Sequence, residues 1–326
     1  MKKKIKNYRF SNSVYHQIKP LFELDNWHCF VALAEDWIII CFAIYISYFL
    51  SWYFYPLSIL IIGSRQRALA TMLHESAHRI LAKNPNLNFI MGTFFSGYFI
   101  LQIMSSYRKS HVENHHGNFG EPDKDPDYKF AISQGLYPAN IDDLRFIKYN
   151  IFFPSLLSRL PKYIKSLLVH RFLEDQKSLE VLSVSLWWLI IISVMIICNL
   201  WQYLILFWLV PYLTFFQIIG WFIELAEHYP LMNHQINLYM SRNRNSHYIE
   251  LFLTGMHNEN YHLVHHLFPN IPFWNVPKAH EILMQDPNYA QHHKYSGGIF
   301  WSNNDAPRLL CLKSENRCTM PMRENK

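Results

Sequence analysis

Uncharged apolar positions fall in long blocks along this chain, and the blocks come in pairs. From Trp37 to Phe54 the stretch WIIICFAIYISYFLSWYF carries no charge over eighteen residues, about the minimum for a helix that crosses a bilayer. A second apolar run begins after the Tyr55-Pro56 turn signal and passes through LSILIIG into SRQRALATMLHESAH. The other pair occupies Val184 to Cys198 and Trp201 to Phe222, rich in Trp, Phe and Ile, with Asn199 as the turn between them. The pattern predicts four spans, at 37–54, 55–73, 184–198 and 201–222, arranged as two hairpins. Neither hairpin tip carries Lys or Arg, whereas the N-terminus, the segment 159–177 (RLPKYIKSLLVHRFLEDQK) and the C-terminal part are basic. The positive-inside rule places those three regions in the cytoplasm.

Between the hairpins, NFIMGTFFSGYFILQIM (88–104) reads as a re-entrant or interfacial helix, and 159–177 as an amphipathic helix lying along the interface. The expected fold is an all-α, multi-pass integral membrane protein with a cytoplasmic helical cap. Its expected division is an N-terminal segment (1–25), a membrane domain (26–300) and a loosely ordered polar tail (301–326).

Composition sharpens this picture. Charged residues make up 17% of the chain and hydrophobic ones 51%, against roughly 25% charged in an ordinary soluble domain. Mean hydropathy near zero nevertheless requires a sizeable aqueous portion. The net charge of +6 suits an anionic bilayer surface as well as nucleic acid; with this composition the bilayer is the expected partner and nucleic acid is not. The basic opening MKKKIKNYRF has no apolar core directly behind it, so a cleaved signal peptide is not expected. Five scattered cysteines form no C-x-x-C, and any metal here is held by nitrogen from among eighteen histidines.

On the predicted topology nine of those histidines converge on the cytoplasmic side. His74 and His78 (HESAH) end the second span; His111, His115 and His116 (HVENHH) follow the interfacial segment; His228 (ELAEHY) follows the fourth span; His262, His265 and His266 (HLVHH) lie in the C-terminal part. Pairs at i,i+3 and i,i+4 share a helical face, so each cluster offers several nitrogens to a small volume. Taken alone, His74-Glu75-x-x-His78 is the zinc-protease pattern, with Glu75 as general base. One zinc needs only three protein ligands and an open position, so nine candidates suit two metals better, and imidazole suits iron among others. An intramembrane zinc protease would also need a distant acidic ligand. The spans 184–198 and 201–222 contain none, and only Glu224 and Glu227 lie just beyond. A non-catalytic metal carrier is the third reading. His170, His234, His247, His257, His280, His292 and His293 read as surface or structural residues.

HESAH, HVENHH followed by DPD, EHY and NYHLVHHLFPNIP together resemble the membrane fatty acid desaturase and hydroxylase superfamily over roughly residues 25–285, in particular its bacterial members. The resemblance implies an oxygen-dependent oxidoreductase with two non-haem irons at the cytosolic face. They would be held by His74, His78, His111, His115, His116, His262, His265 and His266, with His228 as an additional ligand. Glu75 then becomes outer support, and Asn258 or Asn260 a holder of metal-bound water. Electrons come from a separate ferredoxin- or cytochrome-type donor, because no fused cytochrome b5 module is visible. Many relatives carry glutamate where this chain has Val264, so an outer hydrogen bond to a ligating histidine must be missing or come from elsewhere. The resemblance favours desaturation over hydroxylation and an acyl chain as substrate; a small amino-acid-derived substrate is the alternative. Arg67, seven residues before His74 and on nearly the same helical face, is a candidate for a substrate carboxylate or phosphate. The competing reading has Arg65 and Arg67 snorkel or pair with Glu35 or Asp36.

Overall fold

The computed structural model describes residues 5–136, 143–169, 178–303 and 306–309. Among them the chain is helical, with two isolated β-bridges and no strand. Residues 170–177 of the amphipathic segment, with His170, and 310–326 of the tail lie outside the described set. Two compact units emerge, each from separated stretches of chain. One comprises 24–109 and 157–220; the other comprises 1–23, 110–156 and 221–326.

The first unit holds most of the apolar helix. Among the described residues three helices are long and apolar enough to cross a membrane, His28–Leu50, Leu179–Ile197 and Trp201–His228; a bent pair, Pro85–Ile100 with Met104–Asn118, adds a fourth if it counts as one span. The pair bends by 93°, with Leu101 in the left-handed region at φ 57°, within the segment expected to be re-entrant or interfacial. The first helix starts at His28 instead of Trp37. Asp25 accepts hydrogen bonds from the N–H groups of Trp27 and His28 and so starts the helix. Asp36, whose charge seemed to bound the span, is fully buried, with Oδ1 3.5 Å from Arg65 Nη1 on the next helix, Tyr55–Ala77. That ion pair is the one anticipated for Arg65.

Tyr55–Ala77 begins with Pro56 in its first turn, where the missing N–H costs nothing. Its 23 residues reach ~35 Å. It is not among the helices apolar enough to cross a membrane, and Arg65, Gln66 and Arg67 lie at its centre. It packs against the preceding helix through small residues: Ser58 Oγ donates to the Ala43 carbonyl and meets Ser47 Oγ, both at 2.6 Å. Leu179–Ile197 has only 6% of its apolar window buried, as expected of a helix whose solvent is hydrocarbon. Its end is marked by Asn199 in the left-handed conformation, φ 54°, at the anticipated turn.

In the second unit the N-terminal segment is part of a core. Helix Asn12–Ile18, capped by Ser11, places Val14 and Ile18 with Phe10 and Leu21 against Leu263, Val264, Phe268, Ala279, Leu283 and Tyr289.

The end of Tyr55–Ala77, where HESAH lies, is gripped tightly. Ser76 Oγ donates to the Asn88 carbonyl at 2.7 Å, Asn88 Nδ2 donates back to the Ser76 carbonyl at 3.0 Å, and Arg108 donates to the carbonyls of Ala77 and Ser76. Gly92 is the close-approach point of this contact, because a Cβ there would collide with Ser76 Cβ and Oγ. Gly92→Ala is therefore expected to cost about 1–3 kcal/mol of overpacking, read as a lowered thermal midpoint in detergent. A midpoint equal to that of the parent would show that Ser76 can move freely.

Candidate metal centre

Seven of the nine box histidines belong to the second unit, and their arrangement departs from simple α-helical spacing. Lys109–His115 winds as a π-helix followed by a 3-10 turn at His116–Asn118. The wider winding lets positions five apart face one another, and His111 Nε2 lies 3.2 Å from His116 Nε2. Before the third box the backbone turns through two left-handed residues, His257 (φ 51°) and Asn258 (φ 62°), and then enters helix His262–Leu267. His228 closes helix Phe215–His228.

These segments bring Nε2 atoms together. His265 Nε2 is 3.1 Å from His116 Nε2, His262 Nε2 is 2.9 Å from both His228 Nε2 and His266 Nε2, and His115 Nε2 is 3.4 Å from His266 Nε2. Two triads, His115–His116–His266 and His228–His262–His266, each hold three donor atoms within 4.8 Å of one another.

Two of the rings turn their other nitrogen to carboxylates. His115 Nδ1 lies 2.9 Å from Asp125 Oδ1 and 3.2 Å from Asp127 Oδ2. His262 Nδ1 lies 3.2 Å from Glu227 Oε2. A carboxylate at Nδ1 holds the proton there and leaves the Nε2 lone pair pointing inward, the arrangement seen around ligating imidazoles. Burial pushes the Asp125 carboxyl up, but His115 and the backbone N–H groups of Gly120 and Tyr128 outweigh it and hold the group below the ordinary carboxylate value. Burial, then the neighbouring His262 and His116, push His266 well below its ordinary value, so it is a neutral donor at pH 7. Inward-facing imidazoles with no thiolate among them fit a borderline divalent metal such as iron.

The remaining sequence-derived candidates are distributed as follows. His74 and His78 belong to the first unit, at the end of Tyr55–Ala77, with ring centroids 4.7 Å apart. Buried Glu75 sits beside them, its Oε1 3.3 Å from His74 Nδ1. Arg67 is half-buried on the same helix. Asn258 and Asn260 direct their amide N–H groups to backbone, the carbonyls of Phe273 (3.0 Å) and Arg244 (3.3 Å). His234, His247, His280 and His292 have structural partners: Ile236 N–H, Ile249 N–H, the Tyr289 hydroxyl and the Ser241 carbonyl. Sequence reasoning passed over Asp125, Glu227 as a histidine partner, and Arg244. The DPD after the second box was the available signal for Asp125. Val264, fully buried in the core beneath the third box, has no room for a carboxylate role; Glu227 supplies the outer hydrogen bond to His262.

The family model for fatty acid desaturases matches residues 50–297. The chain belongs to the fatty acid desaturase family. It is 38% identical to the dihydrorhizobitoxine desaturase of Bradyrhizobium elkanii, over 95% of this chain and 90% of that protein. As a desaturase-family member it is an oxidoreductase.

In this desaturase-family protein His266 belongs to both triads. His266→Ala is expected to weaken cobalt(II) binding, followed by visible absorbance, by more than the roughly 10–100-fold typical of losing an outer partner, and to weaken it more than His234→Ala, outside the cluster, does. Equal effects of the two variants would contradict the shared position of His266.

Proposed function

We propose that this protein is a di-iron, oxygen-dependent desaturase of acyl chains, a multi-pass membrane enzyme with its active site on the cytoplasmic face. Its metal ligands are His74, His78, His111, His115, His116, His228, His262, His265 and His266. The seven inward-facing imidazoles of the second unit support this ligand set, and the H-x-x-x-H spacing supports His74 and His78. When bound, two irons would supply the oxidant that converts a saturated C–C unit, O2, two electrons and two protons into a C=C unit and two waters, the electrons arriving from a separate ferredoxin- or cytochrome-type donor.

The chain's own contribution is to hold and to exclude. Asp125 and Glu227 fix the ring orientation of His115 and His262. The observation that carries the acyl reading is a cavity of about 700 Å³ within the first unit, lined by Phe99, Leu101, Trp188, Ile192, Ile196, Leu204 and neighbours. Three of its polar lining groups are turned to backbone. Trp188 Nε1 donates to the Tyr98 carbonyl (2.7 Å), Trp208 Nε1 to Phe99 (3.0 Å) and the Tyr212 hydroxyl to Ile100 (2.9 Å). An apolar lining of this extent suits a hydrocarbon chain.

A second reading is favoured by the relative whose name denotes a desaturase of dihydrorhizobitoxine: a small amino-acid-derived substrate bound away from this cavity. Metal analysis of detergent-purified protein tests the shared chemistry. About two irons per chain are expected, falling sharply in a His262→Ala, His265→Ala double variant; one zinc that survives the double variant would sink the proposal. Incubation with donor, O2 and either acyl lipid or a saturated amino-acid derivative then separates the substrates. Loss of two hydrogens from the acyl lipid, with a shift to shorter chains in Leu204→Trp, is expected. Reaction with the amino-acid derivative alone would overturn the acyl reading.

A further inference from the structure

The segment Ser241-Arg242-Asn243-Arg244-Asn245-Ser246 reads in sequence as a solvated loop, yet Ser241, Arg242, Asn243, Arg244 and Ser246 are each at most 1% exposed. Burying two guanidinium groups is costly unless each is paired and hydrogen-bonded. What they bind is the scaffold of the histidine cluster. Arg242 donates its Nε–H to the Ala226 carbonyl and its backbone N–H to the Glu227 carbonyl (3.0 Å), the two residues before His228. Asn243 Oδ1 accepts from the backbone N–H groups of Leu263 (3.0 Å) and Val264 (3.4 Å), in the first turn of the third-box helix. Arg244 donates its backbone N–H to the Asn260 carbonyl (2.8 Å). Residues 241–246 thus tie the end of Phe215–His228 to the start of His262–Leu267, the two helices that carry His228, His262, His265 and His266.

One contact reaches the centre itself. Arg244 places Nε 2.8 Å from Glu227 Oε1, while its two terminal nitrogens donate to the hydroxyl (2.9 Å) and carbonyl (2.7 Å) of Thr254. The second oxygen of the same carboxylate, Glu227 Oε2, faces His262 Nδ1. We propose that Arg244, acting through Glu227, is a positioning residue for the metal centre. The guanidinium, itself locked by Thr254, fixes the rotamer of the carboxylate. The carboxylate fixes the orientation of the His262 ring, with Nε2 toward His228 and His266. A neutral residue at 244 leaves the carboxylate without its partner and free to turn from His262.

This inference rests on the metal-centre reading, and cobalt(II) serves as the probe for both. Full-length protein in detergent is titrated with cobalt(II), with affinity and the visible ligand-field spectrum as readouts and the thermal midpoint of the metal-free protein as a check on folding. Arg244→Gln and Glu227→Gln are each expected to lower affinity about 10–100-fold and to alter the spectrum, with Arg244→Lys recovering most of the parent spectrum. Glu250→Gln is the structural control. Glu250 accepts the backbone N–H groups of Ile299, Phe300 and Trp301 in the same unit, so its loss should lower the midpoint and leave affinity and spectrum unchanged. The relay is refuted if Glu227→Gln binds cobalt with parental affinity and spectrum, or if Glu250→Gln perturbs both as much as Arg244→Gln does. A parent protein that binds no cobalt would sink the metal-centre reading and the relay with it.

Discussion

Seven imidazoles turn their Nε2 atoms toward one another, an arrangement that hydrogen bonds between neutral rings serve poorly. A hydrogen bond between two rings needs one donor and one acceptor nitrogen. His262 carries its proton on Nδ1 because Glu227 holds it there, so its Nε2 can only accept. That atom faces the Nε2 atoms of both His228 and His266 at 2.9 Å. His266 Nε2 lies between the Nε2 atoms of His115 and His262. Divalent cations among the rings would each take several of these lone pairs at once. The surrounding protein has to hold the rings together whether or not a cation is bound.

Local backbone geometry carries part of that burden. The second box is wound as a π-helix, and the third is preceded by two left-handed, non-glycine residues, His257 and Asn258. Conformations of this kind cost energy in isolation and persist only where the surroundings over-determine them. Here the surroundings are polar and buried. Asn258 donates to the Phe273 carbonyl, Asn260 and Arg244 bond each other's backbone, and Asn243 accepts the first amides of the third-box helix. Beneath that helix Leu263 and Val264 bury themselves against the N-terminal segment. The third box is thus held by hydrogen bonds on one side and by apolar packing on the other.

The difference between what was and was not legible in the sequence follows from which forces leave a local pattern. Long uncharged runs announced the helices at Leu179–Ile197 and Trp201–His228, and Asn199 announced the turn between them, because hydrocarbon solvent tolerates few alternatives. The histidine boxes were legible because adjacent imidazoles have no packing advantage to explain them. The start of the first helix was misjudged because Asp36 looks like a boundary until its partner Arg65, twenty-nine positions on, is seen. The N-terminal segment seemed separate because its core partners lie beyond residue 230. Residues 241–246 were illegible for the opposite reason. Their polarity is that of a surface loop, and only three-dimensional contact shows that the polarity is used inward, on Glu227, Thr254 and the backbone of the third box.

The same reasoning bears on substrate choice. An apolar cavity discriminates weakly among hydrocarbons, by roughly 1–3 kcal/mol per methylene, but strongly against charge, because a buried ionised group without a partner is far costlier. In the 700 Å³ cavity the indole N–H groups of Trp188 and Trp208 and the hydroxyl of Tyr212 all serve backbone carbonyls. Bound there, an amino-acid-derived substrate would bring an ammonium and a carboxylate against those groups and would compete with the contacts that order the Tyr98–Ile100 segment. An acyl chain makes no such demand, and its polar end is free to remain outside.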